Sequence, residues 1–152
     1  MPQSLSSVYL HIVFSTKNRE PSIAPELRSR LWAYLGGICR SLHCLPVQIG
    51  GTSDHVHILC LLSRDTAIQN FAAKIKAESS KWIKQQGTPL PDFHWQTGYG
   101  AFSINPNEIS KVIQYIANQE EHHRDRTFQE EFLLFLKKYN IPYDEKHLWD
   151  EP

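Results

Sequence analysis

Apolar and polar positions alternate over residues 7–16. Val8, Leu10, Ile12 and Phe14 fall on one side and Tyr9, His11, Val13 and Ser15 on the other, the two-residue period of a strand. Over residues 25–43 the period lengthens. Leu27, Leu31, Tyr34, Leu35 and Ile38 recur at three- and four-residue spacing, which predicts a helix. Pro25 sits in its first turn, where a missing N–H costs nothing. Residues 45–49 read as a short second strand starting near Pro46. The cluster Gly50, Gly51, Thr52, Ser53 reads as a turn, and residues 53–62 as a third strand, so the two strands form an antiparallel hairpin. A second helix, capped by Asp65 or Thr66, runs to about Gln86 with Ile68, Phe71, Ala72, Ile75, Ser79, Trp82 and Ile83 along its inner side. Residues 87–91 form a loop and 98–104 a fourth strand. The order β-α-β-β-α-β predicts an α+β, ferredoxin-like fold: a four-stranded antiparallel sheet with two helices against one face.

The last third of the chain adds helices to that unit. Asn105, Pro106 and Glu108 are a helix start: an Asn cap, Pro at the first helical position and Glu three residues after the cap. Ile109, Val112, Ile113, Ile116 and Ala117 then form an apolar stripe. Tyr115 and Gln119, four residues apart, fall beside it on a polar flank with Lys111 and His122. Another amphipathic helix follows Thr127, carrying Phe128, Phe132, Leu133, Phe135 and Leu136 as far as residues 138–140.

Composition narrows the possibilities. The 152 residues read as one domain, 1–152, and 41% hydrophobic with 11% aromatic content excludes general disorder. The formal net charge is zero, so any contact with nucleic acid must use local basic patches. Cys39, Cys44 and Cys60 have no paired spacing and an odd count, which fits free thiols in a reducing cytoplasm. There is no signal peptide, and no apolar run approaches the ~18 residues a membrane helix needs.

The candidate chemistry centres on the third strand. His55 and His57 alternate with Val56, Ile58, Cys60 and Leu62, so both imidazoles leave the same face over a hydrophobic backing. Two imidazoles on a rigid strand are a start for a divalent-metal site, although paired surface or packed histidines give the same pattern. Leu59 and Leu61 extend that face with apolar surface, suited to burial beneath a helix or a partner. Two basic stretches are candidate DNA contacts: the Lys17-Asn18-Arg19 loop, and the helix bearing Lys76, Ser79, Ser80, Lys81 and Trp82, which offers hydroxyls, charge and an aromatic ring together.

His55-Val56-His57 on a strand, a helical Tyr115 downstream and Gln119 one turn later resemble the HUH single-tyrosine transposases. The likeness is to the small transposases of minimal bacterial insertion sequences and their REP-associated relatives. It extends to His11-Ile-Val-Phe-Ser-Thr-Lys-Asn-Arg19, Ser53-Asp-His-Val-His-Ile58, Lys76-Ala-Glu-Ser-Ser80, Gly98-Tyr-Gly-Ala-Phe-Ser103 and Tyr115-Ile-Ala-Asn-Gln-Glu-Glu-His-His123. The resemblance implies that His55, His57 and Gln119 bind Mg²⁺ or Mn²⁺ beside a DNA phosphate. It implies that Tyr115 attacks the phosphorus to give a 5′-phosphotyrosine, on single-stranded hairpin DNA. It further implies a homodimer in which the tyrosine helix of one chain completes the histidine site of the other, in a bacterial cytoplasm and nucleoid-associated when bound to DNA. No nucleotide cofactor is expected, since the chain has no Gly-x-x-x-x-Gly-Lys phosphate loop. Two other classes remain open at this level: a domesticated nickase of REP-like palindromes, and a nucleic-acid-binding module without catalysis. A phosphodiesterase with paired His-x-Thr/Ser motifs is disfavoured, because no such pair is present.

Overall fold

The computed structural model describes residues 2–87, 90–123 and 126–149, apart from the side chains of Pro91 and His122. The expected polar-flank role of His122 lies outside that description. Four strands form one antiparallel sheet: β1 (Tyr9–Ser15), β2 (Leu45–Gly51), β3 (His55–Leu61) and β4 (Gly100–Ile104), in the spatial order β2-β3-β1-β4. With α1 (Pro25–Ser41) and α2 (Ile68–Lys84) as the two crossovers, this is the ferredoxin-like topology that the periodicity predicts.

The alternation on each strand sorts residues between two faces. Leu10, Ile12 and Phe14 of β1 and Val56, Ile58 and Cys60 of β3 join Leu31, Leu35, Phe71 and Ile75 in the principal core, beneath α1 and α2. The other face carries His11, Val13, His55, His57 and Leu59, and two later helices cover it: α3 (Ile109–Ala117) and α5 (Phe128–Lys138). Leu59 is buried with Ile104 and Ile116, so its apolar surface is used within the chain. Among the described residues all three cysteines are free and buried, as their spacing suggests.

Local chemistry explains several departures from the sequence reading. Strand β2 runs through Gly50 and Gly51, and the turn is Thr52, Ser53, Asp54. Neither Asp65 nor Thr66 caps α2; Ala67 is its N-cap and makes no side-chain bond. The Asn105 side chain does accept from Asn107 N, but it caps a short 3₁₀ turn (Pro106–Glu108) that leads into α3. α3 stops at Ala117. Asn118, at φ −103° and ψ 26°, leaves helical geometry, and Gln119 opens a separate short helix α4 (Gln119–His122). A final turn, α6, spans Glu145–Leu148.

The seat of α3 depends on a missing side chain. Gly50 stands opposite His57 across the β2–β3 ladder. A Cβ there would lie 2.6 Å from the Ile116 carbonyl oxygen and 3.0 Å from Ile116 Cγ2. Only hydrogen fits, so the helix bearing Tyr115 can rest directly on the sheet. Gly50→Ala is therefore expected to displace α3 and to destabilise the protein by roughly 1–3 kcal/mol, as overpacking does. Urea denaturation of the purified variant measures this, and an unchanged midpoint would contradict the packing.

Candidate functional site

His55 and His57 are both fully buried on the face of β3 covered by α3 and α5. Their outer nitrogens are occupied. His55 Nδ1 lies 2.8 Å from Asp54 Oδ1, and Thr52 Oγ1 donates to the same carboxylate oxygen at 3.2 Å. His57 Nδ1 lies 2.8 Å from Nε2 of His11, whose ring stacks on it. His11 stands opposite Leu59 in the register, one diagonal step from His57.

The inner nitrogens point at a common centre. His55 Nε2 is 2.9 Å from Gln119 Oε1, while Gln119 Nε2 donates to the Tyr115 carbonyl and so fixes the amide's orientation. Glu131 enters from α5, 2% exposed. Its Oε1 lies 3.0 Å from His57 Nε2 and 3.7 Å from His55 Nε2. Its Oε2 accepts a hydrogen bond from the Tyr115 hydroxyl and lies 3.2 Å from His123 Nε2. That nitrogen of His123 is buried and has no aligned hydrogen-bond partner among the described residues.

Charge follows burial and neighbours. Burial alone would raise the Glu131 carboxyl, but His123 and His57 more than offset it and hold it far below the usual carboxylate range. Burial lowers His57 despite the pull of Glu131, and it lowers His11 well below an ordinary imidazole, helped by His57. Burial also works against a charged His123, yet Glu131 beside it raises it overall. Asp54 is likewise favoured by burial to stay neutral, but bonding to His55 and Thr52 keeps it below the usual range. Burial, and then the Glu131 carboxylate, push the Tyr115 phenol well above its ordinary value.

The donor set fits a divalent cation. His55 Nε2 and Gln119 Oε1 stand 2.9 Å apart at this centre, with Asp54 against the other ring nitrogen. Neighbouring ligands of one small cation at ~2.1 Å from the ion stand about that far apart, and the buried His123 Nε2, 3.2 Å from Glu131 Oε2, faces the same centre. His55, His57, His123 and Glu131 offer ligand atoms that all lie within 4.8 Å of one another. Imidazole nitrogens with a carboxylate and an amide oxygen suit Mn²⁺, and Mg²⁺ where oxygens predominate.

The sequence reading placed four of these residues, and the structure brings Tyr115, His55, His57 and Gln119 together. It missed Glu131, His123, Asp54 and His11 as members of the site. Glu131 left a legible sign: a carboxylate three residues after Phe128 and four before Phe135 lies on the apolar side of its helix. The proposed DNA contacts fare differently. Helix α2 packs on the sheet face opposite the histidines, so Lys76, Ser79, Ser80 and Lys81 do not line the site. Ser79 is buried, donating to the Ile75 carbonyl and accepting from Trp95 Nε1. The Lys76 ammonium bonds the carbonyls of Gln96, Thr97 and Gly98 and so anchors the approach to β4. Ser80 is half-buried and Lys81 exposed. Lys17 and Arg19 form a surface turn just past Thr16, whose N–H bonds the Asp54 carbonyl at 2.7 Å, and Arg19 lies over the Trp149 ring.

Comparison with known proteins bears on the same residues. Residues 4–119 match the profile of the family described as "Transposase IS200 like". The transposase of insertion sequence IS200 from Salmonella typhimurium is 25% identical over 116 residues, covering 73% of this chain and 76% of that protein. Its Salmonella typhi counterpart matches equally. In fold, the chain is similar to a candidate transposase from Deinococcus radiodurans R1 (TM-score 0.58, 21% identity, covering 78% of this chain and 98% of that one). It is also similar to a REP-associated tyrosine transposase solved with a REP hairpin (TM-score 0.59, 13% identity, covering 81% and 72%). The family match ends at Gln119, so His123 and Glu131 lie beyond it.

The outer partners of the two histidines set which nitrogen faces the centre. Replacing either should weaken cation binding about 10–100-fold, as such orienting partners do. Asp54→Asn and His11→Ala are the variants, and Mn²⁺ titration by calorimetry or electron paramagnetic resonance is the measurement. Wild-type affinity in both would remove the orienting role.

Proposed function

This chain belongs to the IS200-like transposase family, and on that footing we propose that it cuts and rejoins single-stranded DNA at hairpin ends through a 5′-phosphotyrosine. The observation that carries the reading is the meeting of the Tyr115 hydroxyl with the histidine cluster through one buried carboxylate. His55, His57 and Gln119, with His123 and Glu131 alongside, would hold Mg²⁺ or Mn²⁺. Bound there, the cation supplies Lewis-acid polarisation of the phosphate and offsets the negative charge of Glu131.

The residues of the chain then divide the work. Tyr115 Oη forms a bond to phosphorus as the bond from phosphorus to the 3′-oxygen breaks. Glu131 Oε2, the acceptor of the Tyr115 hydrogen bond, would orient the hydroxyl, and the phenolic proton would pass to the 3′-oxygen as its bond to phosphorus breaks. The leaving 3′-oxygen needs one proton, so the transfer balances and leaves a free 3′-hydroxyl. Rejoining reverses these steps on the stored phosphodiester energy, without a nucleotide cofactor. A hairpin substrate is supported by the structural neighbour that carries a REP hairpin. A nickase acting on cellular palindromes shares this chemistry and differs in its DNA target. Work on DNA would suit a bacterial cytoplasm.

Family resemblance implies a homodimer with Tyr115 acting in trans. The geometry supports a site assembled within one chain, because Tyr115 reaches the histidines of its own β3 while its helix rests on its own Gly50. A homodimer completed in trans would keep the same contacts between Tyr115 and the histidines, supplied by two copies.

Tyr115→Phe keeps the ring and removes the oxygen, so covalent protein–DNA adducts on hairpin substrates should vanish, with a loss of roughly 1–3 kcal/mol in stability from the missing bond to buried Glu131. Adducts mapped by mass spectrometry to Tyr99, Tyr139 or Tyr143 would sink the assignment of the nucleophile. Assembly is read separately by mixing His57→Ala with Tyr115→Phe chains. A site built within one chain stays inactive in the mixture, whereas recovered cleavage would establish exchange of α3 between two copies.

A further inference from the structure

Two clefts open onto the cluster from different sides. The larger, 740 Å³, lies between α3, β4 and α5 and is lined by Tyr115, Glu131, Arg126, Phe135, Lys138 and Tyr139. The smaller, 370 Å³, lies between the β2–β3 turn and the start of α5, and includes Asp54, His123 and Arg126. Arg126 belongs to both walls, and its positive charge acts on Tyr115.

The lining has the mixed character of a nucleic-acid track. Phe135 and Tyr139 both stack on Phe102 and present aromatic surface, with exposed Leu134 beside them. The cations need sorting. Lys111 at the rim pairs with Glu108 at 3.5 Å, and Arg28 in the smaller cleft pairs with Glu120 at 2.6 Å. Arg126 and Lys138 have no salt-bridge partner among the described residues. Two cations without ion-pair partners among the described residues, set beside aromatic faces in the cleft that holds Tyr115, suit a phosphate backbone with unpaired bases.

We propose that the two clefts form one continuous track for a single DNA strand, with Arg126 at their junction clamping the scissile phosphate beside Tyr115. This rests on the strand-cleaving reading above and adds the path of the strand and the residues that hold it. The larger cleft reaches His11, Tyr115 and Glu131 and the smaller reaches His123, so a strand lying in both passes the histidine cluster. Arg126, Lys138 and Tyr139 lie beyond the segment matched by the family, whereas Tyr115 and Asp54 lie within it.

The test uses the full-length protein and a fluorescein-labelled oligothymidylate, alone or paired with oligoadenylate, followed by anisotropy over a range of salt. The single strand is expected to bind more tightly than the duplex. Arg126→Gln and Lys138→Gln should each weaken single-strand binding about tenfold, as loss of a charged hydrogen bond does. Each should also flatten the dependence of log affinity on log salt by ~0.7. Arg126→Lys should restore the salt slope but only part of the affinity, since the bidentate fork is lost. Both positions are exposed, so melting temperatures should not move. Oligothymidylate carrying 4-thiothymidine should photocrosslink to peptides of α3 and α5. Unchanged affinity and slope in both Gln variants, or crosslinks confined to the Lys17–Arg19 turn, would overturn the track. If Tyr115 adducts still form in that case, the strand-cleaving reading stands alone. Track binding with no adduct on any hairpin supports the track and overturns the cleavage.

Discussion

A single buried carboxylate ties three elements of this protein to one point. Glu131 reaches from α5 to His57 on β3 and to Tyr115 on α3, and lies beside His123. Taking a carboxylate out of water is costly unless its oxygens are satisfied, and here both oxygens are surrounded by donors. The same contact therefore holds the helical layer against the sheet and brings the phenol to the imidazoles. Removing either side would leave charge buried without compensation. The geometry of the site and the docking of α5 are one energetic problem.

Much of this was legible because strands and helices announce themselves by period. The alternation around His55 and His57 put both rings on one face, and the core beneath Val56, Ile58 and Cys60 bears that out. The α-β order and the antiparallel hairpin led to the correct sheet. What the sequence hid was mainly long-range. Nothing local ties Glu131 to His57 across 74 positions, and only the oddity of an acid on an apolar helix face marked it. The lysines and serines of α2 show how packing redirects a compositional signal. Their composition suited DNA, but tertiary packing gave Lys76 three carbonyls to hold and buried Ser79 against Trp95.

Helix boundaries were missed for a smaller reason. Tyr115 and Gln119 read as neighbours on one continuous helix, yet Asn118 breaks it. Asn readily leaves helical geometry because its side chain competes for backbone partners. The break is useful here. Gln119 still bonds back to the Tyr115 carbonyl, while its amide oxygen turns toward His55. An uninterrupted helix would carry the same residues without that aim.

The position of β3 within the sheet has a dynamic consequence. It is hydrogen-bonded to a strand on each side, whereas α5 is attached to the rest of the chain by side chains: an aromatic patch and one carboxylate. Local opening begins where backbone ladders are absent, so the amide hydrogens of α5 exchange with solvent long before those of the histidine strand. When the molecule breathes, the carboxylate side swings away and the imidazoles stay fixed. The site loosens as a hinged cover over a rigid floor, and the floor is retained each time the cover returns.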